Sequence, residues 1–362
     1  MLERLFHLRA HGTNVRTELV AGLTTFLTMA YIVFVNPDIL AAAGMPREAV
    51  FVATCLAAAL GSAIMGLYAN YPIALAPGMG LNAYFAFTVV GQLGYSWQAA
   101  LGAVFLSGCL FVLVSLFRVR EWVVNAIPRP LKFGISAGIS LFLAIIGFQN
   151  AGLVIGSPAT MVTLGDLHRP GPILALFGLV LIVALEARKV RGGVVIGILM
   201  VTMLSIVLGF TPFSGVASMP PSLAPTLLQL DLSAALNAGL LAVVLTFFLV
   251  ELFDATGTLV GVAHRAGLLD KDGKLPRIRR ALLADSVAIG AGAALGTSST
   301  TAYIESASGT AVGGRTGLTA VVVAGLFLLA LFFSPLAATV PPYATAPALL
   351  YVAVLMTRGL AE

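Results

Sequence analysis

Charged positions are missing from long stretches of this chain. No Asp, Glu, Lys or Arg occurs from 49 to 117, and 173–185, 192–230, 286–304 and 316–357 are equally bare. A helix that crosses a bilayer needs about 20 apolar residues. Each run is therefore one, two or three spans long. Read this way, the pattern predicts 12 hydrophobic segments, at 17–37, 48–68, 70–91, 97–117, 131–151, 171–187, 193–211, 235–262, 281–297, 300–314, 317–336 and 341–357. Most connections are short. The exceptions are a basic loop at 263–280 and a Pro/Ser-rich stretch at 211–233. The expected fold class is an all-α polytopic membrane protein.

Two segments make poor helices. The third contains Ala76-Pro77-Gly78-Met79-Gly80-Leu81-Asn82-Ala83-Tyr84-Phe85, and the tenth contains Gly296-Thr297-Ser298-Ser299-Thr300-Thr301-Ala302-Tyr303-Ile304-Glu305. Pro and Gly break a helix, and Ser/Thr hydroxyls compete for its backbone. Irregular backbone at membrane depth survives only where protein covers it or it lines a cavity. The segments share a short likeness, Asn82-Ala83-Tyr84 against Thr301-Ala302-Tyr303, seven crossings apart. An odd separation reverses direction through the membrane. That is the inverted-repeat pattern of secondary transporters, whose broken helices meet at the midplane. Two Gly-rich packing helices are the alternative, and Gly134-Ile135-Ser136-Ala137-Gly138 in the fifth segment reads as such a packing face.

Composition narrows the class. Of 362 residues, 59% are hydrophobic and 10% charged, against about 45–50% and roughly 25% in soluble domains. Soluble, disordered and disulfide-stapled classes are excluded. The net charge of +5 reflects orientation rather than nucleic-acid binding. With residues 1–16 in the cytoplasm, all but Arg47 and Arg169 of the 20 Lys and Arg fall on the cytoplasmic side, as the positive-inside rule requires. Residues 1–16 lack the apolar core of a cleavable signal. Cys55 and Cys109 read as small packing residues. His7, His11, His168 and His264 lie at ends or in loops, so no metal site is expected.

Few acids remain inside the spans. A centred carboxylate costs about 2.5–3.5 kcal/mol on insertion scales and usually faces a cavity with a task. Glu251 and Asp254 are three residues apart in the eighth segment and share a helix face. Glu305 follows the Ser/Thr break. Asp254 and Glu305 are expected to be functional. Glu251 is either a second site acid or a packing partner, and Asp285 is expected to pair with the Arg277–Arg280 cluster. Such acids can take up a proton or accept N–H bonds from a planar heterocycle. With no basic residue in the interior, the solute is expected to be small, nearly neutral and rich in N–H groups. Asn82 offers an amide donor and acceptor, or caps a helix after the Gly turn. Nucleotide-loop, zinc-helix and nucleophile–base motifs are absent, so no enzyme and no cofactor is expected.

Several motifs are distinctive. They are Gly12-Thr13-Asn14-Val15-Arg16-Thr17-Glu18, Thr24-Thr25-Phe26-Leu27-Thr28-Met29-Ala30-Tyr31-Ile32-Val33 with Asn36-Pro37, the third-segment run above, Phe148-Gln149-Asn150-Ala151-Gly152-Leu153, Phe253-Asp254-Ala255-Thr256-Gly257-Thr258, and the tenth-segment run through Ser306. Together they resemble the AzgA-like adenine/guanine/hypoxanthine permeases of the nucleobase–ascorbate transporter superfamily, over essentially the whole chain. The resemblance implies a seven-plus-seven inverted repeat, with short strands in spans 3 and 10 that cross at the substrate. It implies a cytoplasmic N-terminus (1–16), a core domain from 17–117 and 235–336, and a gate domain from 118–211 and 341–362. It also implies that Asn82, Asp254 and Glu305 bind substrate, with Thr301, Tyr303, Ile304 and Tyr31 lining the site. Glu305, Asp254 and Glu251 are the candidates for proton coupling.

The family has fourteen spans and twelve are found here, so the second half of the gate is expected to be incomplete. The function expected is proton-coupled uptake of purine nucleobases across the cytoplasmic membrane. Alternatives are a sulfate or bicarbonate carrier of the same fold, a uracil or xanthine carrier, or a truncated non-transporting membrane protein. The partners read here are a purine nucleobase, a proton and the lipid bilayer. A homodimer stays open, and no nucleic acid is expected.

Overall fold

The computed structural model describes residues 2–116, 129–158, 160–269 and 275–358. Arg118, Arg120, Lys271, Lys274 and the stretch 359–362 lie outside the described residues. Among the described residues, six helices are long and apolar enough to cross a membrane, and three more are shorter and apolar.

Span 1 runs as Val15–Met29 and Ile32–Ala41, and the sequence pattern did not show its break. Asn14 caps the first piece by accepting the Thr17 N–H at 3.0 Å. Near the break Thr24 and Thr28 hydroxyls bond back to the carbonyls of Val20 and Thr25. Just beyond it, Pro37 removes a helix donor. Span 2 (Arg47–Ile64) continues into a π turn, Met65–Ala69. Spans 4 (Trp97–Leu116), 5 (Arg129–Asn150), 6 (Pro170–Ala187), 7 (Gly193–Val207), 8 (Ala238–Arg265), 9 (Ile278–Leu295) and 12 (Pro342–Arg358) are helices, all close to their expected places. Span 11 is Gly317–Ala330, prolonged by a short 3-10 turn and Ser334–Thr339.

The two poor helices are broken as expected. Span 3 is a strand β1 (Leu75–Pro77), then Met79–Ala83 and the wide turns Tyr84–Gln92. A hairpin of strands β2 (Val154–Ser157) and β3 (Met161–Leu164) joins spans 5 and 6, which the pattern did not predict. Span 10 is strand β4 (Thr300–Ala302) followed by Ser306–Ala311. Strands β1 and β4 pair antiparallel, Leu75 opposite Ala302 and Pro77 opposite Thr300. The sequence likeness of Asn82-Ala83-Tyr84 to Thr301-Ala302-Tyr303 is not the structural correspondence. Ala83 lies in the helix beyond β1, whereas Thr301 and Ala302 form β4 itself.

Span 12 packs on spans 5, 6 and 7. Spans 2, 8 and 9 pack against the strand pair, span 4 packs on spans 8 and 9, and spans 1 and 11 lie against span 2. Gly108 and Gly290 let spans 4 and 9 touch, since a Cβ at Gly108 would stand 2.9 Å from the Gly290 nitrogen. The expected packing face on span 5 is different. Gly134 and Gly138 meet nothing within 4 Å, because no described element lies against that side. Cys55 is buried as expected, but Cys109 is exposed on the outer side of span 4.

One buried carboxylate ties the two halves of the chain. Glu18, fully enclosed, accepts the backbone N–H of Arg315 at 2.9 Å and of Thr319 at 3.2 Å, and the Thr319 hydroxyl at 2.6 Å. It therefore caps the positive end of span 11 from span 1. Replacing Glu18 by Ala leaves these donors orphaned, at a cost of about 1–3 kcal/mol. The thermal midpoint of the detergent-purified chain is expected to fall, and to fall less for Glu18→Gln, which keeps an acceptor oxygen.

Candidate functional site

The strand pair is enclosed on every side, so each of its backbone groups needs a partner. Ser62 of span 2 closes one edge: its hydroxyl accepts the Leu75 N–H at 2.9 Å and donates to the Leu75 carbonyl at 3.0 Å. Asp285 of span 9 closes the other, its Oδ1 accepting the Ala302 N–H at 2.9 Å and the Thr301 hydroxyl at 3.2 Å. This corrects the expectation that Asp285 pairs with Arg277–Arg280. Asp285 is fully buried. Arg277 and Arg280 lie instead over the Tyr71 and Tyr68 rings, and Arg279 donates to the Leu116 carbonyl at 3.0 Å. The carboxylate lies about one and a half to two turns deeper than the cluster and faces the strand.

Between the strands the chain ends cross over. The Gly78 N–H donates to the Ser299 carbonyl and the Tyr303 N–H to the Ala74 carbonyl, at 2.9 and 3.0 Å. The Tyr303 hydroxyl donates to the Pro77 carbonyl at 2.5 Å. These bonds fix where the chain leaves β4. Tyr303 is 6% exposed, Ile304 is 44% exposed, and the part-exposed Glu305 follows. The Glu305 carboxylate accepts the hydroxyl of the buried Tyr31 at 2.6 Å, from the break in span 1. Asp254, part-exposed on span 8, lies close enough for its charge to act on Glu305 and Tyr303. Tyr31, Asp254, Tyr303, Ile304 and Glu305 thus gather from spans 1, 8 and 10.

Three other expected residues are held by partners outside that cluster. Glu251 is fully buried and accepts the Ser107 hydroxyl of span 4 at 2.8 Å. Thr301 is turned onto Asp285. Asn82 is fully buried and donates its amide to Asn36 of span 1. Asn36 in turn donates to Thr54 at 2.7 Å and Thr297 at 2.8 Å. Asn36, Ser62 and Asp285 were not singled out as site-building residues. The available signal for Asn36 and Asp285 was a polar side chain inside an apolar run. No Lys or Arg lies at 17–46, 48–117, 192–264 or 281–314, so the crossing is lined by acceptors and hydroxyls. A cavity of about 360 Å³ opens at the ends of spans 5, 6, 7 and 12 and shares no residue with the carboxylate cluster. Among the described residues no His, Cys, Asp and Glu group is arranged to hold a metal.

The family described as "Permease family" (Xan_ur_permease) matches residues 16–362. Adenine permease AdeQ of Escherichia coli (strain K12) is 53% identical over 361 residues, covering 100% of this chain and 81% of that protein. Guanine/hypoxanthine permease PbuO of Bacillus subtilis (strain 168) is 48% identical over 360 residues, covering 97% of this chain and 83% of that protein. Among solved structures, the transmembrane domain of a cyanobacterium bicarbonate transporter, BicA, superposes with a TM-score of 0.73 at 16% identity. The match covers 95% of this chain and 89% of that domain. The fold is therefore the inverted-repeat transporter fold.

The edge bond of Asp285 is open to direct test. Asp285→Ala leaves the Ala302 N–H without its acceptor, while Asp285→Asn retains one. The alanine variant is expected to melt lower than the asparagine variant, by about 1–3 kcal/mol in stability, in thermal unfolding of the purified chain.

Proposed function

This chain belongs to the permease family, and from that premise we propose that it is a secondary active transporter for uptake of purine nucleobases, coupled to protons, in the cytoplasmic membrane. It is a multi-pass membrane protein and not an enzyme. The observation that carries the reading is the pair of part-exposed carboxylates, Asp254 and Glu305, with the Tyr31 hydroxyl on Glu305 and no Lys or Arg at 17–46, 192–264 or 281–314. Carboxylates facing a site bind N–H groups of a planar base at well-defined angles. They repel an anion, which argues against the bicarbonate or sulfate reading. The fold likeness to BicA is a likeness of architecture. The adenine and guanine/hypoxanthine permeases among the relatives agree with a purine.

In this reading Asp254 and Glu305 bind the base, Tyr31, Tyr303 and Ile304 line it, and Asn82 completes the site. Glu305, Asp254 or the enclosed Glu251 carries the proton. Spans 1–4 (17–117) and 8–11 (235–336) form the core, and spans 5–7 (118–211) with span 12 (341–362) form the gate. Alternating access comes from movement of the core against the gate. The N-terminus lies in the cytoplasm, since that placement collects nearly all basic residues on one side. A homodimer is the proposed assembly.

Uptake of labelled adenine, guanine, hypoxanthine and uracil in a transport-null host tests the reading. Purine uptake above the host background is expected, and uracil uptake without purine uptake overturns it. Asp254→Asn and Glu305→Gln are each expected to abolish uptake while the protein stays in the membrane fraction. Tyr31→Phe, which removes one hydrogen bond, is expected to lower uptake by about tenfold. Orientation is tested separately by single cysteines. A cysteine beside Arg188–Arg191 should react only after the membrane is opened, and one beside Asp166 should react in intact cells.

A further inference from the structure

Several buried polar atoms at the crossing, the hydroxyls of Ser298, Ser299 and Thr300 among them, have no hydrogen-bond partner, and the Asn82 side-chain oxygen is the amide among them. Asn82 is fully enclosed, yet its carbonyl oxygen Oδ1 has no hydrogen-bond partner. A buried acceptor without a donor is costly. The residues behind it decide which amide atom is the free one, and that decision starts from a backbone carbonyl whose polarity cannot change.

The Thr54 hydroxyl donates to the Val50 carbonyl at 2.7 Å. Its single proton is spent there, so toward its other neighbours Thr54 only accepts. The Asn36 atom 2.7 Å from Thr54 must therefore be its amide nitrogen, which also donates to Thr297 at 2.8 Å. Thr297 has its own proton for Thr54, at 3.1 Å. Asn36 consequently turns its carbonyl oxygen to Asn82, and Asn82 must answer with its amide nitrogen. Amide orientations are assigned from such networks, and here every member has a single consistent assignment. The chain of donors runs from Asn82 through Asn36 and Thr54 to Val50, and what remains at its open end is an acceptor. All four side chains, from spans 1, 2, 3 and the Thr297 loop, are fully buried.

We infer that Asn36 is a positioning residue: anchored through Thr54 on the Val50 carbonyl, it holds Asn82 so that Oδ1 accepts an N–H from the transported base. This rests on the purine reading above and deepens it. With Asp254 and Glu305 the site then offers three acceptors, and the ligand must supply the donors. Adenine carries them on a ring nitrogen and on its exocyclic amino group. Methylation of the nitrogen that meets Asn82 removes one donor hydrogen, the sole one at the ring nitrogen and one of two at the amino group, and adds bulk where the carbonyl stands.

The test is competition against bound radiolabelled adenine on the detergent-purified full chain, with unlabelled adenine, 9-methyladenine and N6-methyladenine. The readout is the ratio of inhibition constants, methylated over parent, which does not depend on how much protein folds. The native chain is expected to reject at least one methylated base by about tenfold or more. Asn36→Leu frees the Asn82 amide to turn. Thr54→Val, a near-isosteric change for use if the leucine variant fails to fold, frees Asn36 to turn. Each is expected to shrink that ratio by about fivefold or more while weakening adenine itself. Ratios unchanged from the native chain overturn the positioning role, since loss of packing alone lowers the amount of binding protein without changing selectivity. A native chain that binds neither adenine, guanine nor hypoxanthine overturns the purine reading and this inference with it; one that binds guanine or hypoxanthine but not adenine overturns this inference alone.

Discussion

The structure depends on one constraint: two short strands lie inside a membrane protein, and every peptide group in them must be satisfied without water. Strands β1 and β4 meet that demand by pairing with each other. Their outer edges are closed by one side chain from each half of the chain, Ser62 from span 2 and Asp285 from span 9. Spans 2 and 9 play corresponding parts in the two repeats, but the chemistry differs, a hydroxyl on one side and a carboxylate on the other. Because each strand needs the other half's strand, the two repeats cannot form their centres independently.

From that pairing the site follows. Pairing of Pro77 with Thr300 and Leu75 with Ala302 sets where each chain leaves its strand. It brings Tyr303 back across to the Pro77 carbonyl and presents Glu305 to Tyr31. The break in span 1 matters here, since it puts the Tyr31 hydroxyl at the start of a new helix rather than inside a continuous one. Buried acids then divide by surroundings. Glu18 and Asp285 are held by backbone N–H groups and act as caps. Asp254 and Glu305 stay part-exposed instead.

The Asn36–Asn82 network extends the same logic to a neutral group. A backbone carbonyl, a threonine and two amides hand polarity across three spans and the loop before β4. Low-dielectric surroundings strengthen such a chain and penalise a wrong assignment. The result is a crossing rich in acceptors and hydroxyls, with no Lys or Arg at 17–46, 48–117, 192–264 or 281–314.

Much of this was legible in the residues alone, because membrane insertion obeys a local rule. Uninterrupted apolar runs located the spans, Pro, Gly and Ser/Thr clusters located both broken ones, and the isolated acids singled out Asp254 and Glu305. Each of these signals is carried by neighbouring residues. The roles of Asp285, Asn36 and Glu18 were not legible, nor was the break in span 1. Asp285 looked paired with nearby arginines, yet its partners in β4 lie 16 and 17 residues further along the chain. Glu18 caps a helix about 300 residues away. Which polar side chain binds a ligand and which closes a strand or a helix end depends on contacts across the repeats. A residue type specifies what bonds it can make, and only the assembled chain decides which partner arrives.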